Sequence, residues 1–200
     1  MSSPRPDLAK LDGFSPAQTY QVLYDLALNV PADQAIVELG TFHAKGAIYL
    51  AEGAAHGGGA HVWTVDPHDL PGYRTTTGSG PVRNRIDYTD PKHRQLAEQQ
   101  VRNSGHGNRI TMVRDFSADA GRKWKGPKVG LLFIDGNHFE RHVRLDFAAW
   151  ERHLAPGAIV CFDDHRPAFP GVINVVARLV DKGVIIEPTL VGSLAVTSRR

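Results

Sequence analysis

Cysteine is almost missing from this chain. Cys161 stands alone among 200 residues, so no intramolecular disulfide can form, and its place in an apolar run marks a buried structural thiol in a reducing compartment. Long hydrophobic runs are missing too. No stretch approaches the roughly 18 consecutive apolar residues of a spanning helix. The opening MSSPRPDLAK also lacks the apolar core of a secretory signal, so a cytoplasmic protein with no membrane partner is expected. Neither charge dominates: 23 basic residues face 21 acidic ones, which removes the electrostatic reason to expect nucleic acid. No internal repeat and no second domain are visible, so 1–200 reads as one domain, long enough for a real core.

What the chain does have is a set of short apolar runs that end in acids. Residues 129–134, VGLLFI, lead directly into Asp135, Gly136, Asn137 and His138. Residues 158–162 lead into Asp163, Asp164 and His165. An apolar run bounded by turn residues suits a strand buried on both faces, as in a parallel sheet. A carboxylate at its end stands on the rim where open α/β folds bind ligands. Two such strands delivering acid and imidazole to one rim suggest an enzyme.

The remaining punctuation predicts α/β alternation. A helix is expected from Ser15 as N-cap, Pro16 at the first position and Gln18 completing a capping box, with Tyr20, Leu23, Tyr24 and Ala27 inward and Pro31 marking the stop. Strands are expected at 35–39, 61–65, 109–114, 129–134 and 158–162. Helices are expected at 47–54, 91–103 (polar and exposed), 117–124, 139–154 and 172–180, the last capped by Gly183. Residues 184–186 and 190–196 are expected to pair antiparallel. Glu140 and Arg144 form an expected i,i+4 surface pair. Residues 1–12 read as a loose arm. Residues 67–90, rich in Gly, Thr and Pro and carrying Arg74, Arg83 and Arg85, read as a mobile lid, since such long loops are usually functional or disordered. His56, Asp146, His142 and His153 read as solvated.

The first strand-turn-helix unit is Glu38-Leu39-Gly40-Thr41-Phe42-His43-Ala44-Lys45-Gly46, and Asp66 follows at the tip of the next strand. Glycine permits the tight turn, the helix N-terminus offers free N–H groups, and an acid at Asp66 suits ribose hydroxyls. The G-x-G-x-x-G of a dinucleotide site is absent, and a pyrophosphate beside Glu38 would be repelled. A phosphate-free nucleoside ligand bearing an ammonium group fits better.

With Glu38-Leu-Gly-Thr41, Thr64-Val-Asp66, Phe133-Ile-Asp-Gly-Asn-His138 and the run from Ala155-Pro-Gly157 to Asp163-Asp164-His165, the chain resembles the class I S-adenosylmethionine-dependent methyltransferases. The resemblance is strongest to a metal-dependent branch that includes macrolide and aminocoumarin sugar O-methyltransferases, with catechol-type enzymes more distant. It implies a Rossmann-like α/β fold with a mostly parallel seven-stranded sheet and a C-terminal antiparallel hairpin. It implies S-adenosyl-L-methionine and Mg²⁺ (or Mn²⁺) as cofactors, and a hydroxyl of a sugar or glycosylated small molecule as acceptor. A homodimer is possible by analogy. Carried over by position, Glu38, Gly40, Thr41 and Phe42 belong to the methionyl side and Asp66 to the ribose. Asp115, Phe116 and Ser117 frame the adenine. Asp135 borders the cofactor and joins Asp163 and Asp164 around the metal.

The chain departs from that pattern twice. Ala44 stands where a second glycine is common. Asn137 stands where sugar-modifying relatives carry an acid as general base, and an amide cannot accept the proton. His138 is the preferred replacement, with His165 and then His43 behind it. Three readings compete: a catechol or phenol acceptor, a non-catalytic cofactor-binding relative, and a metal-dependent hydrolase.

Overall fold

Seven strands, β1 (Ala35–Leu39), β2 (His61–Val65), β3 (Ile110–Val113), β4 (Val129–Ile134), β5 (Leu154–Phe162), β6 (Thr189–Val191) and β7 (Leu194–Ser198), form one sheet in a computed structural model. The structure describes residues 3–70, 87 and 89–200. The strand order is β3-β2-β1-β4-β5-β7-β6. The first five strands run parallel, while β7 lies antiparallel between β5 and β6. This is the mostly parallel sheet with a closing hairpin that the sequence predicts. Strand order reverses between β1 and β4, where loops diverge and leave a crevice at the carboxyl ends.

Every residue of β1 and β4 is buried, which explains why both read as unbroken apolar runs rather than alternating ones. Neighbouring side chains go to opposite cores. Ile36, Leu131 and Phe133 join the core under α1 (Ala17–Ala27), α2 (Lys45–His56) and α3 (Pro91–Asn103). Val37, Leu132 and Ile134 join the core under α4 (Ser117–Lys123), α5 (Glu140–Trp150) and α6 (Pro170–Asp181). Tyr20, Leu23, Tyr24 and Ala27 are the inward residues of α1, and Val143, Phe147 and Trp150 those of α5, as their spacing predicts. Cys161 is buried and unpaired. Among the described residues, no helix is long and apolar enough to cross a membrane.

Several expectations need correction. The first dozen residues are not loose: Pro6–Lys10 form a 3-10 helix, Leu8 is buried, and Arg5 pairs with Glu52 at 3.1 Å. Helix α3 is polar but not exposed, because His93, Ala97, Gln100 and Val101 are buried. The 139–154 helix stops at Trp150, gives way to a short 3-10 turn at Glu151–His153, and hands Leu154 to β5. β5 therefore starts earlier than expected, and its pairing with β4 slips between Val129 and Leu131, near Gly157 at positive φ. Residues 184–186 contribute only an isolated bridge, Ile185 to Arg199, and the hairpin partner is β6. Glu140 turns to Arg178 and Asn174 of α6 rather than forming the pair with Arg144. His56 ends α2 and contacts the Tyr24 hydroxyl at 2.8 Å. Most of the expected lid, with Arg74, Arg83 and Arg85, lies outside the described residues.

Candidate active site

The β1–α2 turn is built around a close approach. Gly40 has φ +100°, and a Cβ there would come within 2.2 Å of the Asp135 carbonyl oxygen. Only glycine fits, and this contact sets the two strand tips side by side. Past it the backbone stays strained: Phe42 (φ 44°) and Ala44 (φ 66°) both sit in the left-handed region that L side chains disfavour. The strained loop is tied down by Asp66, whose Oδ2 accepts the N–H groups of Thr41 (2.9 Å) and Phe42 (3.0 Å). Its Oδ1 accepts the N–H of His68 at 2.7 Å. The acid expected at the ribose thus closes the loop in this structure.

Glu38 is buried within β1. The Thr64 hydroxyl donates to its carboxylate, and the Thr41 hydroxyl in turn approaches Thr64. Burial pushes the Glu38 carboxyl well above its ordinary range; the Thr64 bond opposes that, while Asp135 and Asp66 add to it. Asp115, Phe116 and Ser117 follow β3, with Asp115 held by Lys123 at 2.6 Å and Ser117 opening α4, where its carbonyl accepts Trp150 Nε1–H at 2.9 Å.

Asp135, Asp163 and Asp164 meet at the tips of β4 and β5. Hydrogen bonds from the backbone N–H of Asp135 to Leu39 and from that of Asp163 to Ile134 fix their height. Asp163 is buried, its Oδ2 accepts from Ser15 Oγ at 2.9 Å, and its Oδ1 is buried with no aligned hydrogen-bond partner among the described residues. His138 places Nε2 at 3.3 Å from Asp164 and 3.7 Å from Asp135, near enough for attraction but not aligned for a hydrogen bond. Burial and the charge of Asp163 push Asp135 up to about 7, against the pull of His138. Burial likewise raises Asp163, against the downward pull of the Asp164 N–H and the Ser15 hydroxyl. For His138, burial works downward, but the surrounding aspartates outweigh it and raise the imidazole. Asp164 has φ 54° and pairs with Arg166 at 2.8 Å.

The profile of the family described as "Methyltransferase domain" matches residues 37–165, which run from β1 past the tip of β5. The chain belongs to that methyltransferase family. Solved structures share the fold. Cofactor-bound Rv0187 from MTB is 20% identical with a TM-score of 0.70, covering 97% of this chain and 85% of that one. An O-methyltransferase from Bacillus cereus in complex with SAH is 16% identical with a TM-score of 0.66, covering 97% and 86%. The calicheamicin methyltransferase CalS11 is 16% identical with a TM-score of 0.63, covering 90% and 77%.

Set on the methyltransferase fold, the predicted residues fall into two groups at adjoining strand tips. Glu38, Gly40, Thr41, Phe42 and Asp66 stand together, while Asp135, His138, Asp163 and Asp164 form the second group. Asn137 is engaged in a turn, its side-chain oxygen accepting the Phe139 N–H at 2.9 Å just before α5. His165 is tied by its backbone N–H to the Ser193 carbonyl of the β6–β7 turn. The methyltransferase's acid set suits a hard cation by chemistry: the donors are all carboxylate oxygens, and the orphaned Asp163 Oδ1 is the kind of atom a cation satisfies. The present arrangement has His138 against two of these acids instead. Among the described residues no group of three His, Cys, Asp or Glu is spaced to hold a metal ion.

Three features of the site were missed in the sequence. Asp146 has the sequence setting of a solvated acid, yet it is buried, and burial pushes its carboxyl up to about 7. It approaches the loop after β4, at 3.8 Å from where a Cβ on Gly136 would stand. Its position four before Trp150 on the inward stripe of α5 was the available signal. His43 links Asp12 Oδ2 and His93 Nδ1, each at 2.8 Å, a chain joining segments too far apart in sequence for spacing to reveal. His68 is buried with φ 45°, and among the described residues its Nε2 lacks a hydrogen-bond partner, beside a cavity of about 90 Å³ that Thr41 and Met112 also line.

Proposed function

We propose that this chain is an S-adenosylmethionine-dependent O-methyltransferase that uses Mg²⁺ or Mn²⁺ and methylates a hydroxyl of a sugar or glycosylated small molecule. The observation that carries the cation half is the buried, unpartnered Asp163 Oδ1 beside an Asp135 raised to about 7. Carboxylates crowded this way repel each other, and a cation relieves them. The cofactor half is supported by the Gly40 turn, by acids at Glu38 and Asp66, and by the matched family. It is also supported by the Bacillus cereus neighbour, which was solved in complex with SAH.

When bound, the cofactor supplies an electrophilic methyl group and the cation a Lewis acid that lowers the pKa of the acceptor hydroxyl. Asp135, Asp163 and Asp164 would hold that cation. Glu38 is placed to meet the ammonium of the methionyl part, which would offset the cost of burying its charge. Asp66 has to release loop N–H groups if it is to accept ribose hydroxyls. His138 is the imidazole at the acid rim and would take the proton that the acceptor oxygen gives up on methylation. Asn137, committed to its turn, leaves that role to His138. Alignment of oxygen, methyl and sulfur supplies most of the acceleration such a displacement needs.

One observation favours the second reading, a catechol or other phenol acceptor. Phe14 is 63% exposed and stacks on Phe42 at 4.5 Å, giving an aromatic wall near the rim. A panel of dihydroxybenzoates and nitrophenyl glycosides, with turnover followed as SAH release, separates the two acceptors. Calorimetry with SAH tests the shared part: no binding removes the reading altogether. Turnover that survives EDTA removes the cation. The homodimer expected by analogy belongs to this reading and is checked by light scattering on the eluting peak.

A further inference from the structure

Ser15 stands where a helix cap is expected, yet it caps nothing. Helix α1 begins at Ala17 with no side-chain cap bond. The Ser15 hydroxyl instead donates to Asp163 Oδ2, at 2.9 Å and 148 positions away in sequence. The segment that delivers it is fastened at Ala9, Leu11, Asp12, Phe14 and Ser15. Lys45 Nζ donates to the carbonyls of Ala9 (3.1 Å) and Leu11 (2.8 Å) and lies over the Tyr20 ring. Asp12 binds His43 through its side chain and Gln100 through its N–H. A Cβ on Gly13 would come within 2.5 Å of the Tyr20 hydroxyl, so the chain passes there with no side chain at all. Phe14 stacks on Phe42, and the Ser15 N–H donates to the Tyr20 oxygen at 3.1 Å. Residues 12–15 thus form a strap from the β1–α2 loop to the tip of β5.

We infer that Ser15 is a positioning residue that holds Asp163 so that its Oδ1 is presented to the cation, an inference that rests on the cation reading above. The donors that reach this carboxylate, the Ser15 hydroxyl and the Asp164 N–H, are neutral, whereas a lysine or arginine at that place would neutralise its charge. The hydroxyl occupies Oδ2 and fixes the rotamer, and Oδ1 remains buried with no aligned partner among the described residues. Groups that orient a metal-binding carboxylate in this manner typically change metal affinity by about 10–100-fold when removed.

The experiment is Mn²⁺ binding to the full chain, read by the loss of the free-ion electron paramagnetic resonance signal, with SAH affinity measured in parallel by calorimetry. Ser15→Ala is expected to weaken Mn²⁺ about tenfold while SAH affinity stays within about twofold, and Ser15→Thr, which keeps the hydroxyl, is expected to recover most of the Mn²⁺ affinity. Unchanged Mn²⁺ affinity in Ser15→Ala overturns the inference. So does a parallel fall in both ligands, which is the mark of a merely structural role, or a Ser15→Thr variant as weak as the alanine. If the unaltered chain binds SAH but no Mn²⁺, the cation reading fails, and the inference falls with it.

Discussion

The two groups of acids at neighbouring strand tips are treated differently. At the β1–β2 end, Asp66 accepts three backbone N–H groups, and Glu38 is met by a buried hydroxyl chain. At the β4–β5 end, among the described residues, Asp163 is met by the Ser15 hydroxyl and the Asp164 N–H with no aligned donor at Oδ1, and the ion-pair partner of Asp135 is an imidazole at 3.7 Å. One end is closed on itself by the chain, while at the other Arg166 reaches only Asp164 and leaves Asp135 and Asp163 without a salt bridge to lysine or arginine among the described residues. Buried polar atoms are rarely left without partners, so a deficit at a site marks what the site is built to receive. On the proposed reading, the first end receives the ribose and ammonium of the cofactor, and the second receives a cation.

That contrast can be broken by variants of graded effect. The largest is expected at the joint between the two ends. Gly40→Ala forces a Cβ into the Asp135 carbonyl, and SAH binding should disappear with a stability loss on the order of 3 kcal/mol; near-normal SAH calorimetry would show that the joint is not needed. Next, Asp135→Ala should lower metal-dependent methyl transfer by more than about 100-fold while leaving SAH affinity close to normal, which would separate the two ends functionally. A parallel loss of both would merge them.

Asp146 extends the donor-poor side beneath the Gly136 loop. Its folded pKa near 7 lies above the ordinary 3.8, so the fold favours the protonated carboxyl. Unfolding therefore releases a proton between those values, and stability falls as pH rises through that window, with the loss complete above about pH 7. Asp146→Asn should stabilise the chain by about 4 kcal/mol at pH 8, with the gain fading towards pH 4. Urea melts at the two pH values check this, and an equal effect at both would remove the burial argument. The smallest effect belongs to the donor-rich side: Ala44→Gly, which relieves a left-handed φ of 66°, should stabilise by about 1 kcal/mol. A destabilised Ala44→Gly variant would show that the buried methyl outweighs the strain.

How much of this was legible in the sequence follows from how each feature is encoded. The buried strands announce themselves because unbroken apolar runs and terminal acids are local patterns, and so the tips carrying Glu38, Asp66, Asp135 and Asp163 fell where expected. Helix faces were legible for the same reason, down to Tyr20, Leu23, Tyr24 and Ala27. Ser15 shows the limit. Its surroundings, Ser-Pro-Ala-Gln, are those of a helix cap, and the competing partner is an acid at the far end of the sheet, so a tertiary contact overrode a local preference. Asn137 was judged by its missing charge, whereas its side chain closes a turn. The extent of β5 was lost at Gly157, where a slip in register interrupts the ladder without ending the strand.

The most direct test of the account is a crystal structure with SAH and Mn²⁺ bound together. The account predicts SAH along the β1–β2 tips against Glu38, Gly40 and Asp66, and an anomalous Mn²⁺ peak bonded by oxygens of Asp135, Asp163 and Asp164. SAH in that place with no metal peak at the acids, or a metal held elsewhere, would contradict it.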